Sequence, residues 1–362
     1  MQNDDSASTR STDRRGFLKS GIVAAGAASA GVGLPASRAF AGDDDGDHGE
    51  ISRGDVAILR FLAAAEIIES DLWQQYNELG GVNGVSPAYI DALSKLDGDM
   101  SQYITDNTDD EISHENFLNA YLIMRGAQPV NLDKFRTLPS SGVTGVNQKI
   151  KRLTHLGNLN VDTSWWTRYR GQTNPDFGAT FPQVVDIVNR PAIPQNDAEL
   201  LDLNHVQAIA NTAGFHFAFI EQGGTSLYTT MARKVSSLQV LRIVTSIGGT
   251  EIAHFQTWHD KAGNAPPLTD NVGHPVIFPD FNLPPFTNGE KVQKNKIMPE
   301  PCQFISPNLP ACSIIRPTNA EGIARGAAKA LTDDGLFVGQ SPEFFAVLKE
   351  LADEADAARR RG

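Results

Sequence analysis

Two short words of almost the same sequence constrain the fold of this chain more than any other feature. They are Glu-Ile-Ser-His at 111–114 and Glu-Ile-Ala-His at 251–254. Both lie in stretches whose apolar residues recur at helical spacing. On an α-helix, positions i and i+3 share a face, so each word directs one carboxylate and one imidazole to the same side. The chain is therefore expected to bring two Glu-x-x-His helices together around these side chains.

Each word is preceded by a helical segment with a glutamate in its apolar stripe, Glu66 before the first and Glu221 before the second. Buried carboxylates from different helices repel each other unless cations lie between them. Four helices that supply Glu, Glu-x-x-His, Glu and Glu-x-x-His match the ligand set of a dinuclear carboxylate bundle. We therefore predict a dinuclear Fe or Mn site with the terminal ligands Glu66, His114, Glu221 and His254 and the bridging ligands Glu111 and Glu251.

Structural interpretations of the same residues stay open at this stage. Glu66 could lie on a solvated edge of its helix, and Glu69, three residues later, competes for its role. The acidic run at 109–115 could be a solvated helix surface. That interpretation suits Asp109 and Glu115 better than Glu111, because apolar residues continue the face on which Glu111 lies. The histidines at 205, 216 and 259 are expected not to be ligands, and those at 155 and 274 are expected in loops.

Aromatic and glycine residues recur beside the glutamates. Trp73 and Tyr228 each follow a glutamate by seven residues, so each lies two helical turns along the same face. They could form hydrogen bonds to ligands or pack in the core, and no catalytic residue beyond the metal ligands is predicted. The pairs Gly223-Gly224 and Gly248-Gly249 weaken their helices. They indicate a close approach of helices, or room for a small ligand such as dioxygen or peroxide.

The periodicity along the chain predicts an all-α protein without strands. Helices are predicted from 55 to 79, from 86 to 96, from 99 to 125 with Gly126 as C-cap, from 201 to 231 and from 238 to 261. Two further helices are expected near 319–331 and 342–360. The spacing of the glutamates suits two helical hairpins joined by one long crossover at 127–200, which contains the pair Trp165-Trp166. The predicted architecture is an up-down four-helix bundle at 55–262.

The residues around the candidate ligands are similar to a known family. Residues 65–73, Glu221-Gln222-Gly223-Gly224-Thr225-Ser226-Leu227-Tyr228 and Glu251-Ile252-Ala253-His254 resemble motifs of ferritin-like proteins that include plant desiccation-related proteins and microbial and fungal stress-linked relatives. The resemblance covers about 55–127 and 200–262. It implies a ferritin-like bundle with the dinuclear site. Trp73 replaces the usual Tyr, and the enlarged crossover and the last 100 residues depart from the pattern.

The N-terminal 41 residues are predicted to be a signal peptide. Thr12-Asp13-Arg14-Arg15-Gly16-Phe17-Leu18-Lys19 resembles a twin-arginine motif, an apolar stretch follows, and Ala39-Phe40-Ala41 fits a cleavage site. The alternative is a basic tail with no targeting role. Export by the twin-arginine route would place the mature protein in the periplasm or outside the cell.

Three segments outside the bundle complete the predicted organisation. An acidic linker is expected at 42–54, a Pro-rich extension at 263–317 and C-terminal helices at 318–362. Cys302 and Cys312 are expected to form a disulfide within the extension if the protein is exported. A metal site made of cysteines alone would need more ligands than these two.

The net charge of the chain limits the classes of molecule that it is expected to bind. The formal net charge of −12 argues against nucleic acid and anionic membrane surfaces, and no stable membrane insertion is expected. The expected partners are metal ions and dioxygen or peroxide, and a homo-oligomer is possible. The predicted function is metal oxidation or peroxide detoxification in stress protection, by ferroxidase-like or catalase-like chemistry. The alternatives are a non-catalytic metal-binding or structural envelope protein, and a solute-binding or adhesion module with Trp165-Trp166 on its working surface.

Overall fold

The computed structural model describes residues 51–170, 182–287, 299–300, 308, 312–313 and 322–360. The predicted signal peptide, most of the acidic linker and Cys302 lie outside these residues. The regular secondary structure of this part is mostly helical, with little strand, so the predicted all-α class is confirmed. Within it, no helix is both long and apolar enough to cross a lipid bilayer.

The helices of the described residues lie close to the predicted segments. They are α1 (Arg53–Gly80), α2 (Pro87–Leu93), α3 (Met100–Met124), α4 (Ser164–Arg170), α5 (Leu203–Met231), α6 (Leu238–Ala262), α7 (Ile323–Asp333) and α8 (Pro342–Ala357). Single 3-10 turns lie at Asp133–Phe135 and Glu199–Leu201.

The prediction that the chain has no strands is wrong in detail. Strand β1 (Leu268–Asp270) pairs antiparallel with β2 (Val276–Phe278), and β3 (Pro299–Glu300) pairs antiparallel with β4 (Cys312–Ser313). These strands have two or three residues each, which is too short for an alternating pattern to show in a sequence.

Local capping explains where the long helices begin and end. The side chain of Ser52 accepts a hydrogen bond from the Asp55 N–H at 3.0 Å at the start of α1, and Asp202 caps α5 in the same way. The chain leaves α3 through Gly126, whose φ of +71° is a left-handed conformation that glycine adopts without strain. Pro87 occupies the first position of α2, although the Ser86 side chain makes no capping bond.

The four long helices form two antiparallel pairs, α1 with α3 and α5 with α6. Ser101, near the start of α3, donates a hydrogen bond to the carbonyl of Gly80 at the end of α1. At the other end of the bundle, the Asp55 carboxylate accepts the N–H groups of Ser236 and Ser237 in the turn between α5 and α6, at 2.8 and 3.0 Å. The predicted up-down four-helix bundle is thus the architecture of the protein.

The crossover from α3 to α5 packs against the bundle. Trp165 and Trp166, on α4, are 1% and 4% exposed. Trp165 contacts Phe215 of α5 and Phe255 of α6, with ring centroids 5.6 and 6.2 Å apart. This tryptophan pair is therefore part of the core, which removes the interpretation that it forms an exposed binding surface.

One buried carboxylate ties the crossover to the first helix. Asp71 of α1 accepts the backbone N–H groups of Leu153 and Thr154 at 2.9 Å each, and the Thr154 hydroxyl at 2.7 Å. The Arg136 guanidinium lies 2.5 Å from its other oxygen. Both oxygens of this carboxylate are thus bonded to the crossover, which compensates for its burial.

The C-terminal helices cover one side of the bundle. Helix α8 packs against α1 and α7, and Arg60 of α1 lies 3.3 Å from Glu354 of α8. Lys234, which follows α5, donates to the carbonyl oxygens of Ala355 and Asp356 at 3.0 and 2.9 Å. A cation at these carbonyls satisfies the acceptors that every helix leaves free at its C-terminus.

We expect Asp71→Ala to lower the free energy of unfolding by about 3 kcal/mol, because it leaves Arg136 and two backbone N–H groups without their buried acceptor. Asp133→Ala is the matched control, since Asp133 also pairs with Arg136, at 3.2 Å, but its side chain is 71% exposed. This control should change stability by less than about 0.5 kcal/mol. Urea unfolding followed by circular dichroism compares the two, and equal losses would contradict the role assigned to Asp71.

Candidate metal centre

The four long helices bring all six sequence-predicted ligands into one cluster. Glu66 lies on α1, Glu111 and His114 on α3, Glu221 on α5, and Glu251 and His254 on α6. The four glutamates are at most 1% exposed, so Glu66 does not lie on a solvated edge. Each Glu-x-x-His word aims both of its side chains inward, as one face of a helix requires.

The first half of the cluster surrounds His114. Its Nδ1 atom lies 3.0 Å from Oε2 of Glu111, 3.5 Å from Oε2 of Glu66 and 3.5 Å from Oε1 of Glu251. These four residues each offer one ligand atom, and the four atoms lie within 4.8 Å of one another. One cation could be held by all four.

The second half surrounds His254. Its Nδ1 atom lies 3.0 Å from Oε1 of Glu111 and 3.3 Å from Oε2 of Glu221. Glu111 therefore takes part in both halves, since its Oε2 faces His114 and its Oε1 faces His254. That arrangement is what a bridging carboxylate needs.

Glu69 adds a carboxylate that the sequence analysis treated only as a rival of Glu66. It lies on α1 one turn after Glu66, and it groups with Glu221 and Glu251 within the same 4.8 Å limit. Glu251 thus belongs to two of the groups, as Glu111 does. The two glutamates of α1 do not exclude each other, because both lie at the cluster.

The cluster holds more negative oxygen atoms than the protein satisfies. Glu66 Oε2, Glu69 Oε1, Glu221 Oε2 and both oxygens of Glu251 are buried without a hydrogen-bond partner. Buried polar atoms in folded proteins are almost always paired, and unpaired buried charges are costly. Oxygen and imidazole donors that converge in this way fit divalent cations. The donor set therefore fits a metal site.

The raised pKa values of the glutamates in the metal-free cluster also fit a metal site. Burial and the neighbouring Glu221 raise the pKa of Glu111 to about 7. Burial and nearby glutamates raise the pKa values of Glu69 and Glu251 well above their usual range. Without a cation, these carboxyl groups retain protons that exposed glutamates would have lost.

The two imidazoles have raised pKa values, although burial alone would lower them. Burial lowers the pKa of His114, but its contacts with Glu111 and Glu66 outweigh this and raise the pKa to about 10. His254 is affected in the same direction, because the charge of Glu221 and the contacts with Asp110 and Glu111 outweigh its burial. In the metal-free protein, imidazolium ions therefore take the place of cations between the carboxylates.

Asn107 orients two of the glutamates and was missed by the sequence analysis. Its Nδ2 donates to Oε1 of Glu111 at 2.8 Å and to Oε1 of Glu221 at 3.0 Å. Its Oδ1 accepts from the indole N–H of Trp258 at 2.7 Å, and since an indole can only donate, this contact fixes which way the amide points. A signal existed, because Asn107 precedes Glu111 by four residues on the same helix face.

Asp110 orients the second imidazole and was also given no role from the sequence. Its Oδ2 lies 3.0 Å from Nε2 of His254. With Nε2–H donated outward, Nδ1 is left free to face the cluster as a ligand. A carboxylate behind a metal-binding histidine fixes its tautomer and makes it a more basic ligand. The side chain of Asp110 is half exposed, so this contact lies at the rim of the site.

The two aromatic residues singled out from the sequence differ in their contacts. The Tyr228 hydroxyl donates a hydrogen bond to Oε1 of Glu66. Trp73 instead stacks on Phe217 and Trp258, at centroid distances of 4.8 and 5.3 Å, and its buried indole N–H has no hydrogen-bond partner. Tyr228 therefore touches a candidate ligand, whereas Trp73 packs in the core.

One glycine of each pair allows the helices to approach closely. A Cβ on Gly224 would overlap the carboxylate of Glu251, and a Cβ on Gly248 would lie 2.8 Å from Cβ of Tyr228. Their neighbours Gly223 and Gly249 would meet nothing within 4 Å. The close approach that the glycine pairs indicated is thus found at Gly224 and Gly248.

Other histidines lie apart from this centre. His205 pairs with Asp270 at 2.7 Å, and His216 lies between Tyr76 and Asp334, 2.8 Å from the Tyr76 hydroxyl. His259 packs against Trp165 and Phe255. Among the described residues, none of the three belongs to a group that could hold a metal ion.

Comparison with known proteins agrees with this geometry. The model of the ferritin-like domain family matches residues 54–264, which is more than half of the chain and contains every residue of the cluster. No curated protein and no solved structure matches the chain. With the four-helix bundle and its buried carboxylate and histidine cluster established, the match is decisive: the chain belongs to the ferritin-like domain family.

Proposed function

We propose that this protein is an exported oxidoreductase with a dinuclear Fe or Mn site, which oxidises Fe(II) with dioxygen or peroxide, or disproportionates peroxide. The observation that carries the proposal is Glu111, whose two oxygens face two different imidazoles at 3.0 Å each. A carboxylate shared in this way implies two neighbouring cations. A protective role under stress follows from removal of peroxide or of reactive ferrous ions.

The residues divide into two ligand sets around the shared glutamates. Glu66 and His114 would complete one position, and Glu221 and His254 the other, with Glu111 and Glu251 common to both. Carboxylate-rich sites with imidazole suit Fe and Mn. When bound, such a metal pair supplies the redox chemistry, because it can exchange electrons with dioxygen or peroxide.

The chain's own groups orient this site and handle protons around it. Asn107 donates to Oε1 of Glu111 and to Oε1 of Glu221, which fixes the orientation of both carboxylates at the site. Asp110 holds His254 with Nδ1 inward. Burial raises the pKa of Tyr228 well above its usual range, so its hydroxyl keeps a proton at the edge of the site, directed at Glu66.

The export part of the proposal rests on the twin-arginine-like segment at 12–19 and the Ala39-Phe40-Ala41 site. That pathway carries folded proteins, so a metal site could be loaded before export. Recovery of the protein, shortened near residue 41, from the periplasmic or extracellular fraction would support it. A protein that stays in the cytoplasm at full length would contradict it.

Removal of the shared glutamates should abolish metal binding. We expect the mature protein, reconstituted with Fe(II) without oxygen or with Mn(II), to hold about two ions per chain. The Glu111→Ala/Glu251→Ala variant should hold less than about half an ion, because both positions lose their common ligands. Elemental analysis after gel filtration measures this. The matched control is Asp106→Ala/Asp109→Ala, which removes two exposed carboxylates from the same helix that carries Glu111.

The same preparations separate an enzyme from a non-catalytic metal-binding protein. Turnover of Fe(II) or peroxide faster than that of the free metal, and lost in the double variant, supports the oxidoreductase. Two tightly held ions without such turnover would instead make this a structural or protective metal-binding protein. Equal metal content in the double variant and its control would contradict the site itself.

Metal affinity should increase as the pH rises from 6 to 8. The carboxyl of Glu111, with a pKa near 7, and the imidazolium of His114, with a pKa near 10, must lose protons before they can bind a cation. Each group that must lose a proton makes metal binding about tenfold tighter for every unit by which the pH rises. This holds as long as the pH is below the pKa of that group in the metal-free protein. Calorimetry in buffers of different ionisation enthalpy counts these protons. An affinity that does not change with pH would contradict the assignment of these groups as ligands.

The free energy of unfolding of the metal-free protein should also depend on pH. It should fall as the pH rises, whereas the metal affinity increases. Both pKa values are raised above those of the unfolded chain, so between pH 4.5 and 10 the folded metal-free protein holds more protons than the unfolded one. These groups therefore make the metal-free protein less stable as the pH rises. The increase in Tm on adding metal should be larger at pH 8 than at pH 6.

Adjacent glycines provide a matched test of packing at the site. Gly224→Ala should weaken metal binding by about tenfold, because the new Cβ displaces the Glu251 carboxylate. Gly223→Ala should leave the affinity unchanged, since its Cβ enters open space. Both substitutions favour the helix by about 1 kcal/mol, so both variants should fold. Metal titration by calorimetry compares them, and equal affinities would show that Glu251 does not need the space at Gly224.

A further inference from the structure

A mainly apolar cavity of about 170 Å³ adjoins the candidate metal centre. It lies between α1 and α5 on one side and the C-terminal helices α7 and α8 on the other. Its apolar walls are formed by the side chains of Phe61, Ile68, Leu72, Leu227, Leu331 and Leu348. The C-terminal helices thus enclose a space beside the site as well as covering the bundle.

Two carboxylates and one phenol of the site line the same cavity. Glu66, Glu69 and Tyr228 are among its lining residues, and Glu69 Oε1 is a buried atom without a hydrogen-bond partner. Exposed lining positions, Asp162, Gly223 and Ala330, mark where the cavity meets solvent. The cavity therefore connects the surface with the carboxylate edge of the cluster.

The size and lining of the cavity limit what can occupy it. Apolar cavities of about 150 Å³ stay dry and take up benzene or xenon. Most of the walls are apolar, so a hydrated ion would lose most of its hydrogen bonds with water on entering, which is unfavourable. Dioxygen would fill only a small part of the volume. An uncharged molecule with one aromatic ring, or an aliphatic molecule of similar size, matches both the volume and the walls.

We propose that this cavity binds a small, uncharged, apolar organic molecule against the edge of the metal centre formed by Glu66 and Glu69. The proposal rests on the proposed function for the presence of a metal beside the ligand, but the binding itself depends only on the cavity. Helix α7 contributes to specificity, because Ala327 and Ala328 line the cavity and their small side chains leave it open.

Toluene binding to the metal-free, full-length protein tests the cavity directly. Saturation-transfer NMR and calorimetry should detect binding to the unmodified protein. Ala328→Leu should weaken it by at least about tenfold, because the larger side chain fills the cavity. Ala346→Leu is the matched control, since Ala346 is an exposed residue of α8 that does not line the cavity. Gly223→Leu, at the mouth of the cavity, is a second filling variant in case Ala328→Leu does not fold.

Several outcomes would overturn the proposal. They are no binding of toluene, equal binding by the filling variants and the control, binding of benzoate as tight as that of toluene, and binding of xenon but not toluene. The last result would mean that the cavity admits only gas-sized molecules.

A separate experiment tests whether toluene binds beside the metal. In protein loaded with Mn(II), the proton relaxation of bound toluene should be strongly enhanced relative to protein loaded with Zn(II). Binding without enhancement, in protein shown to contain Mn(II), would place the ligand elsewhere and overturn the proposal. If the protein binds no metal but metal-free protein still binds toluene, the proposed function fails while the cavity remains a ligand site.

Discussion

The repulsion among carboxylates buried in the middle of a helical bundle is the constraint on which the rest of the structure depends. Five glutamates from four helices meet there, together with two imidazoles. An apolar core of this size would be more stable without them. The helices therefore have to be held together by contacts elsewhere, and by groups that fix each carboxylate in place.

Those contacts are distributed around the site and not within it. Asp55 joins the start of α1 to the turn between α5 and α6, Asp71 joins α1 to the crossover, and Lys234 joins the end of α5 to the end of α8. Each uses a charged side chain to satisfy backbone groups at the end of an element or in an irregular segment. The polar anchors position the helices, while packing of Trp73, Phe217 and Trp258 fills the space between them.

The bundle and the six predicted ligands could be recognised from the sequence because both depend on spacing within a helix. Glu111 and His114 share a face whatever lies around them, and so do Glu251 and His254. Glu69 and Asn107 were harder to place, because their roles depend on which neighbours face them across the bundle. The crossover and the short strand pairs have no sustained periodicity. Their structure depends on individual contacts, such as that of Asp71 with residues 153 and 154, which spacing does not reveal.

The contact between Asp110 and His254 makes the two halves of the centre chemically unequal. In the sequence, the two Glu-x-x-His words look like equivalent copies. In the described part of the chain, however, a carboxylate lies behind His254, and none lies within ion-pair distance of the outer ring nitrogen of His114. A more basic imidazole stabilises the higher oxidation state of its metal. If the proposed dinuclear site binds two redox-active ions, the two positions should therefore differ in redox potential, and the ion held by His254 of α6 should lose its electron first.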